Sequence, residues 1–132
     1  MILVDTSVWI EILNGKHPRP FDDDLLAEFV TCGPVIQEVR QGLRKTRDEA
    51  KFLAGFGALP VIGEPIYRGT FVDAADIYRQ GRQLGITIRS STDCLIAAIA
   101  IEHSVPVWHR DRDFAAIARY TRLTTIDPLS GL

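Results

Sequence analysis

Asp5 closes the run "ILVD", Glu38 lies inside "VIQEVRQGL", Asp93 opens "STDCLIAAIAIEHS", and Asp111 sits in "HRDRDF", with Asp113 two residues on. Taken singly, each acid has an ordinary explanation. Asp5 can cap a helix beginning at Thr6, Asp93 and Asp113 can meet helix dipoles for about 0.3–1 kcal/mol each, and Glu38 can be solvated. Brought together they behave differently. Two carboxylates ~4 Å apart repel by about 4 kcal/mol at an effective dielectric of roughly 20. A cluster therefore raises its pKa values or takes up a compensating cation. Arginine could supply that charge, but a hard divalent ion with oxygen ligands fits directly, and Mg²⁺ favours a few carboxylates with waters and a phosphate. The chemistry such a site suits is metal-assisted phosphodiester hydrolysis. The ion lowers the pKa of a bound water and stabilises charge on phosphate and leaving oxygen.

Whether the acids meet depends on the elements that carry them. "ILVD" (2–5) is a short continuous apolar run, the pattern of a strand buried on both faces. "TSVWIEILNG" reads as a helix with Val8, Trp9 and Ile12 on one face and Asn14-Gly15 as its stop. "DDDLLAEF" (22–29) reads as a short helix, "FVTC" as a brief strand, and Gly33-Pro34 as the start of a helix through "VIQEVRQGL". A helical "RDEAKFLAGF" and a strand "LPVIG" (59–63) follow. "TFVDAADIYRQGRQLG" places Phe71, Ala74, Ala75, Ile77, Tyr78 and Leu84 at helical spacing. "STDCLIAAIAIEHS" (91–104) is a strongly apolar helix capped by Ser91 or Thr92. "VPVW" is a strand, "RDFAAIARY" a helix, and "LTTI" (123–126) a last strand. Strands alternating with helices predict a mainly parallel sheet covered on both faces. Ligands in such sheets collect at the carboxyl ends of the strands, where strand order reverses. All four acids fall at those ends or near helix N-termini, so they are expected to share one pocket.

The chain of 132 residues is expected to fold as one domain, 1–132, with an ordinary 46% of hydrophobic residues and no repeat or dividing linker. A net charge of -2 neither points to nucleic acid nor away from it. No stretch approaches the roughly 20 apolar residues of a membrane helix, and no cationic leader precedes the first strand, which predicts a cytoplasmic protein without a membrane partner. Cys32 and Cys94 form no CxxC pair, so neither a disulfide nor a zinc site is expected, and Cys94 reads as core.

"ILVDTSVWI", "VIQEVRQGL", "STDCLIAAIAIEHSVPV" and "HRDRDF", in this order and spacing, resemble a PIN domain, specifically a VapC-type toxin ribonuclease. The resemblance spans essentially the whole chain. It implies an α/β, three-layer fold with a central mainly parallel sheet flanked by helices, and Mg²⁺-dependent cleavage of RNA, with Mn²⁺ as a substitute. It also implies a homodimer and neutralisation by a small VapB-type antitoxin. Asp5 and Asp93 correspond to direct metal ligands, Glu38 and Asp111 complete the catalytic and metal-holding set, and Thr6 matches a hydroxyl that orients the first aspartate. His109 departs from the family, where a small hydroxyl residue commonly stands, and reads as a structural or solvated side chain, like His17 and His103.

Asp113, where "DFAAIARY" begins to read as a helix, is expected to act as N-cap or in support, leaving Asp111 to point into the pocket. Arg40, Arg44, Lys45, Arg47, Arg89, Arg110 and Arg112 are candidates to hold the RNA backbone, Arg110 and Arg112 foremost because they flank a site acid. Other functions fit less well. An aspartyl-phosphate phosphotransferase needs a second acid where Ser7 stands and a lysine in the second half, which has none. A non-catalytic RNA- or protein-binding PIN module would be marked by a missing acid. A PIN nuclease of RNA processing shares the same residues and differs only in target.

Overall fold

The computed structural model describes residues 1–15, 23–43 and 49–127. The elements run β1 (Ile2–Val4), α1 (Thr6–Leu13), α2 (Asp23–Leu26), β2 (Phe29–Val30), α3 (Gly33–Gly42), α4 (Glu49–Gly57), α5 (Arg68–Gln83), α6 (Ser91–Glu102), β3 (Val107–Trp108) and α7 (Arg112–Ala118). The three strands form a parallel sheet in the order β2-β1-β3, with Ile2 opposite Phe29 and Val4 opposite Trp108. All their residues are buried, as the uninterrupted apolar runs predicted. The chain steps to β2 on one side of β1 and to β3 on the other, so strand order reverses at β1. Asp5 is the residue that leaves β1 at that point.

Two predicted strands contract to single bridges. "LPVIG" meets the sheet only at Val61 opposite Thr31, where Thr31 N donates to Pro60 O and Ile62 N to Thr31 O, both at 2.9 Å. Pro60 has no N–H with which to continue a ladder, and Gly63 turns the chain away at φ +65°. "LTTI" pairs only at Thr125 opposite Val107, because β3 is two residues long and offers no more edge. The helix expected over 22–29 is shorter, since Phe29 enters β2 and is 1% exposed.

Helix α6 is buried almost all round, from Asp93 through Ala100 apart from half-buried Leu95. It packs against α5, α7 and α3, which explains an apolar composition without an exposed face. Its N-cap is Ser90 rather than Ser91 or Thr92, and the Ser90 side chain makes no capping bond. On α5 the buried stripe is Thr70, Ala74, Ile77 and Gly81, whereas Phe71, Ala75 and Leu84, predicted on the apolar face, are exposed. Trp9 on α1 meets Phe29, Phe52 and Phe56 edge-on, joining α4 to the sheet. No helix among the described residues is long and apolar enough to cross a membrane.

Candidate active site

Asp5 is the N-cap of α1. Its Oδ2 accepts the Ser7 amide at 3.0 Å and the Ser7 hydroxyl at 2.6 Å, and the residue is 3% exposed. Burial pushes its carboxyl above the usual range, the hydrogen bonds from Ser7 and Thr6 pull it part of the way back, and the charge of Asp111 adds to the rise. Ser7 Oγ also accepts the Arg110 amide at 2.9 Å, tying the start of α1 to the turn after β3. The hydroxyl that orients Asp5 is thus Ser7, not Thr6 as expected. Consecutive helical residues differ by roughly 100° about the axis, so only one of two neighbouring hydroxyls can face back over the cap. Thr6 faces the neighbouring α3 instead, where its Oγ1 donates to Glu38 Oε1 at 3.0 Å.

Glu38 is half-buried on α3, its carboxyl raised by burial, lowered in part by Thr6, and raised further by Asp5 and Asp111. Asp93, in the first turn of α6, feels the cluster most. Burial, followed by the charges of Asp5, Asp111, Glu38 and Asp113, pushes its carboxyl to about 8. Its Oδ2 is buried and has no hydrogen-bond partner among the described residues. Cys94, beside it, is a buried free thiol in the core, as predicted.

The turn between β3 and α7 resolves "HRDRDF". His109 Nδ1 accepts the Asp111 amide at 3.1 Å and its ring lies 5.3 Å from that of Phe114, so its proton sits on Nε2 and its role is structural. Burial pushes this imidazole below its usual range. Asp111, not Asp113, is the N-cap: its backbone is extended and its Oδ1 accepts the Asp113 amide at 2.9 Å. The cap falls to whichever acid precedes the first helical residue, and α7 begins at Arg112. Asp113 is the more deeply placed of the two, 4% exposed, with its Oδ2 accepting the Arg89 amide at 3.1 Å. Capping and site membership coincide here, because Asp93, Asp111 and Asp113 each bring a carboxylate oxygen within 4.8 Å of the others.

The basic residues sort differently from expectation. Arg110 is held by Glu11 at 3.2 Å and Asp127 at 3.0 Å, and stacks over Trp108 at 5.8 Å. Arg112 is exposed in the first turn of α7. Among the described residues, Arg89 is the one whose guanidinium meets the site acids, 3.5 Å from Asp111 and 3.6 Å from Asp113. Ser7 and Arg89 are the site residues that sequence reasoning undervalued. Ser7 had a signal, a hydroxyl two places after a helix-capping aspartate, while Arg89 lies in an irregular segment without periodicity. His17, Arg44, Lys45 and Arg47 fall outside the described residues.

This donor set suits a divalent cation. Three carboxylates converge, a buried Asp93 oxygen lacks a partner among the described residues, and Asp5 and Glu38 add negative potential from the opposite elements. An oxygen-only set of this kind selects hard ions over soft ones.

Comparison with known proteins agrees with this architecture. The PIN domain family matches residues 2–120. Ribonuclease VapC11 of Mycobacterium tuberculosis is 36% identical over 132 residues, covering 93% of this chain and 96% of that protein. The crystal structure of FitAcB from Neisseria gonorrhoeae superposes with a TM-score of 0.66 at 28% identity, over 97% of this chain and 98% of that one. VapBC-5 from Mycobacterium tuberculosis, a member of the VapBC family of toxin-antitoxin systems, shares the fold with a TM-score of 0.64 at 23% identity, over 94% and 95% of the two chains. With its parallel sheet flanked by helices and acids gathered at the strand ends, the chain belongs to the PIN-domain family.

Proposed function

We propose that the chain, 1–132 as one PIN domain, is a metal-dependent endoribonuclease and the toxin of a VapBC-type pair, acting in the cytoplasm with Mg²⁺ and accepting Mn²⁺. The observation that carries this reading is the convergence of Asp93, Asp111 and Asp113, one carboxylate oxygen of each within 4.8 Å of the others, with Asp93 Oδ2 buried and without a hydrogen-bond partner among the described residues. Kinship to a protein named a VapC ribonuclease supports RNA as the substrate and a VapB-type antitoxin as the partner. Exposed apolar side chains near the start of α5, Tyr67, Phe71 and Val72, support a homodimer that would cover them.

Asp93, Asp111 and Asp113 would hold the ion, with Asp5 and Glu38 completing the acidic set. When bound, the ion supplies water activation and charge stabilisation at the phosphate. Ser7 fixes the Asp5 carboxylate and Thr6 the Glu38 carboxylate. His109 fixes the turn that presents Asp111. Retention of every acid argues against a module that only binds.

Purified protein should cleave total cellular RNA with Mg²⁺ and not with EDTA. Asp93→Asn should lower the rate on the order of 10²-fold or more, the scale of losing a group that stabilises transition-state charge. Expression should arrest growth and the variant relieve it, which separates a toxin from a processing nuclease. Undiminished cleavage by folded Asp93→Asn would overturn the assignment.

A further inference from the structure

Arg89 lies between α5 and α6 and meets the acid cluster in two separable ways. Its amide donates to Asp113 Oδ2 at 3.1 Å, a bond that any residue except proline supplies. Its guanidinium approaches Asp111 Oδ1 at 3.5 Å and Asp113 Oδ1 at 3.6 Å, with the side chain 56% exposed. A guanidinium that locks carboxylates makes short forked bonds of about 2.7–2.9 Å. These contacts are long and open to water. Neither acid depends on them for position, since Asp111 is fixed by the Asp113 amide at 2.9 Å and Asp113 by the Arg89 amide and its own burial. The side chain thus keeps solvent-exposed donors and a positive charge at the edge of the five clustered acids.

We propose that the Arg89 guanidinium contacts the RNA phosphate at the acid cluster and is a catalytic residue of the cleavage, an inference that rests on the ribonuclease reading. Once a cation occupies the carboxylates, their pull on the guanidinium weakens, and its planar fork matches two phosphate oxygens. It forms hydrogen bonds and holds charge as that charge develops, with no covalent step of its own. Arg110, tied to Glu11 and Asp127, is less free for this task.

The test uses the full chain with Arg89→Gln and Arg89→Lys, both of which keep the amide. Three readouts apply: calorimetric titration with Mn²⁺ alone, binding of a mixed-sequence fluorescent oligoribonucleotide in Ca²⁺ across a salt series, and cleavage of total RNA in Mg²⁺. For Arg89→Gln the expected results are Mn²⁺ affinity unchanged or tighter, a salt slope reduced by roughly 0.7 for one lost phosphate contact, and cleavage slowed on the order of 10²-fold. Arg89→Lys should restore the slope but only part of the rate, because it keeps the charge and loses the fork. An unchanged slope and rate in Arg89→Gln would place the residue at an idle rim and overturn the proposal. So would tenfold weaker Mn²⁺ binding with an unchanged slope, which would make Arg89 a tether for the acids. Wild-type protein that leaves RNA as intact as Asp93→Asn does would overturn the ribonuclease reading itself, and this inference with it.

Discussion

Asp93 must be neutral or charged according to what it faces. In the metal-free protein it is buried among like charges, and its carboxyl is pushed from an ordinary 3.8 up to about 8. Between those values the folded state keeps a proton that the unfolded state has released. The unfolded chain therefore binds fewer protons, and stability falls as pH rises. The contribution of Asp93 is fully present below about pH 4 and is lost by about pH 8, and the raised carboxyls of Asp5 and Glu38 act in the same direction. Melting temperatures in EDTA from pH 5 to 9 should decline for the wild type and decline less for Asp93→Asn, which should melt higher near pH 8. Mn²⁺ affinity should rise with pH over the same range, because the ion requires the carboxylate. Equal slopes in the two proteins would mean that the cluster places its proton elsewhere. At this scale the gathering of the acids was legible, because each has an ordinary explanation alone but all fall at strand ends or near helix N-termini on one edge of the sheet. Which of two neighbours does which job was not. Thr6 against Ser7 depends on a helical rotation, and Asp111 against Asp113 depends on where α7 begins, a boundary that sequence pattern leaves open by a residue or two.

Element packing puts its tightest demand on Gly81 of α5. A Cβ there would lie 2.6 Å from the Tyr120 hydroxyl and 3.2 Å from the Ile86 carbonyl. Tyr120, just past α7, donates to Ile77 O at 2.7 Å and so fastens the chain after α7 onto α5. Replacing a helical glycine by alanine ordinarily gains up to about 1 kcal/mol. Overpacking a fitted contact costs about 1–3 kcal/mol, and one partner here is backbone that cannot rotate away. The clash should win. Gly81→Ala is expected to lower the thermal midpoint, and to lower it less in a Tyr120→Phe background, where the hydroxyl is gone. A rise in the single variant would show that the contact yields. The helices around this point were readable from apolar spacing, but the choice of Gly81 and Thr70 over Phe71 and Leu84 as the buried stripe was not, since spacing alone leaves the orientation of α5 open by a turn of its axis. The outer strands failed for another reason: "LPVIG" and "LTTI" have strand composition, and only the length of the edge they meet limits them to one bridge each.

At the scale of the molecule, the site exists only in the folded chain. Its acids come from positions 5, 38, 93, 111 and 113 and are gathered by the sheet order β2-β1-β3, so the unfolded chain has no comparable cluster. An ion that binds only the folded state stabilises it by RT ln(1 + [L]/Kd), about 2.7 kcal/mol at a hundredfold excess over Kd. For a domain of this size each kcal/mol moves the midpoint by roughly 3–5 °C, so saturating Mn²⁺ should raise it by about 10 °C. The gain should grow with the logarithm of ion concentration and disappear on adding EDTA. Asp93→Asn should invert the pattern: it starts from a higher metal-free midpoint, because a repelling charge is gone, and responds little to Mn²⁺, because a ligand is gone with it. Glu49→Gln on α4, outside the acid set, should respond as the wild type does and so controls for diffuse screening. If both variants gain the same shift from Mn²⁺, the ion is acting on the surface charge at large, and the acids at the strand ends do not form a metal site.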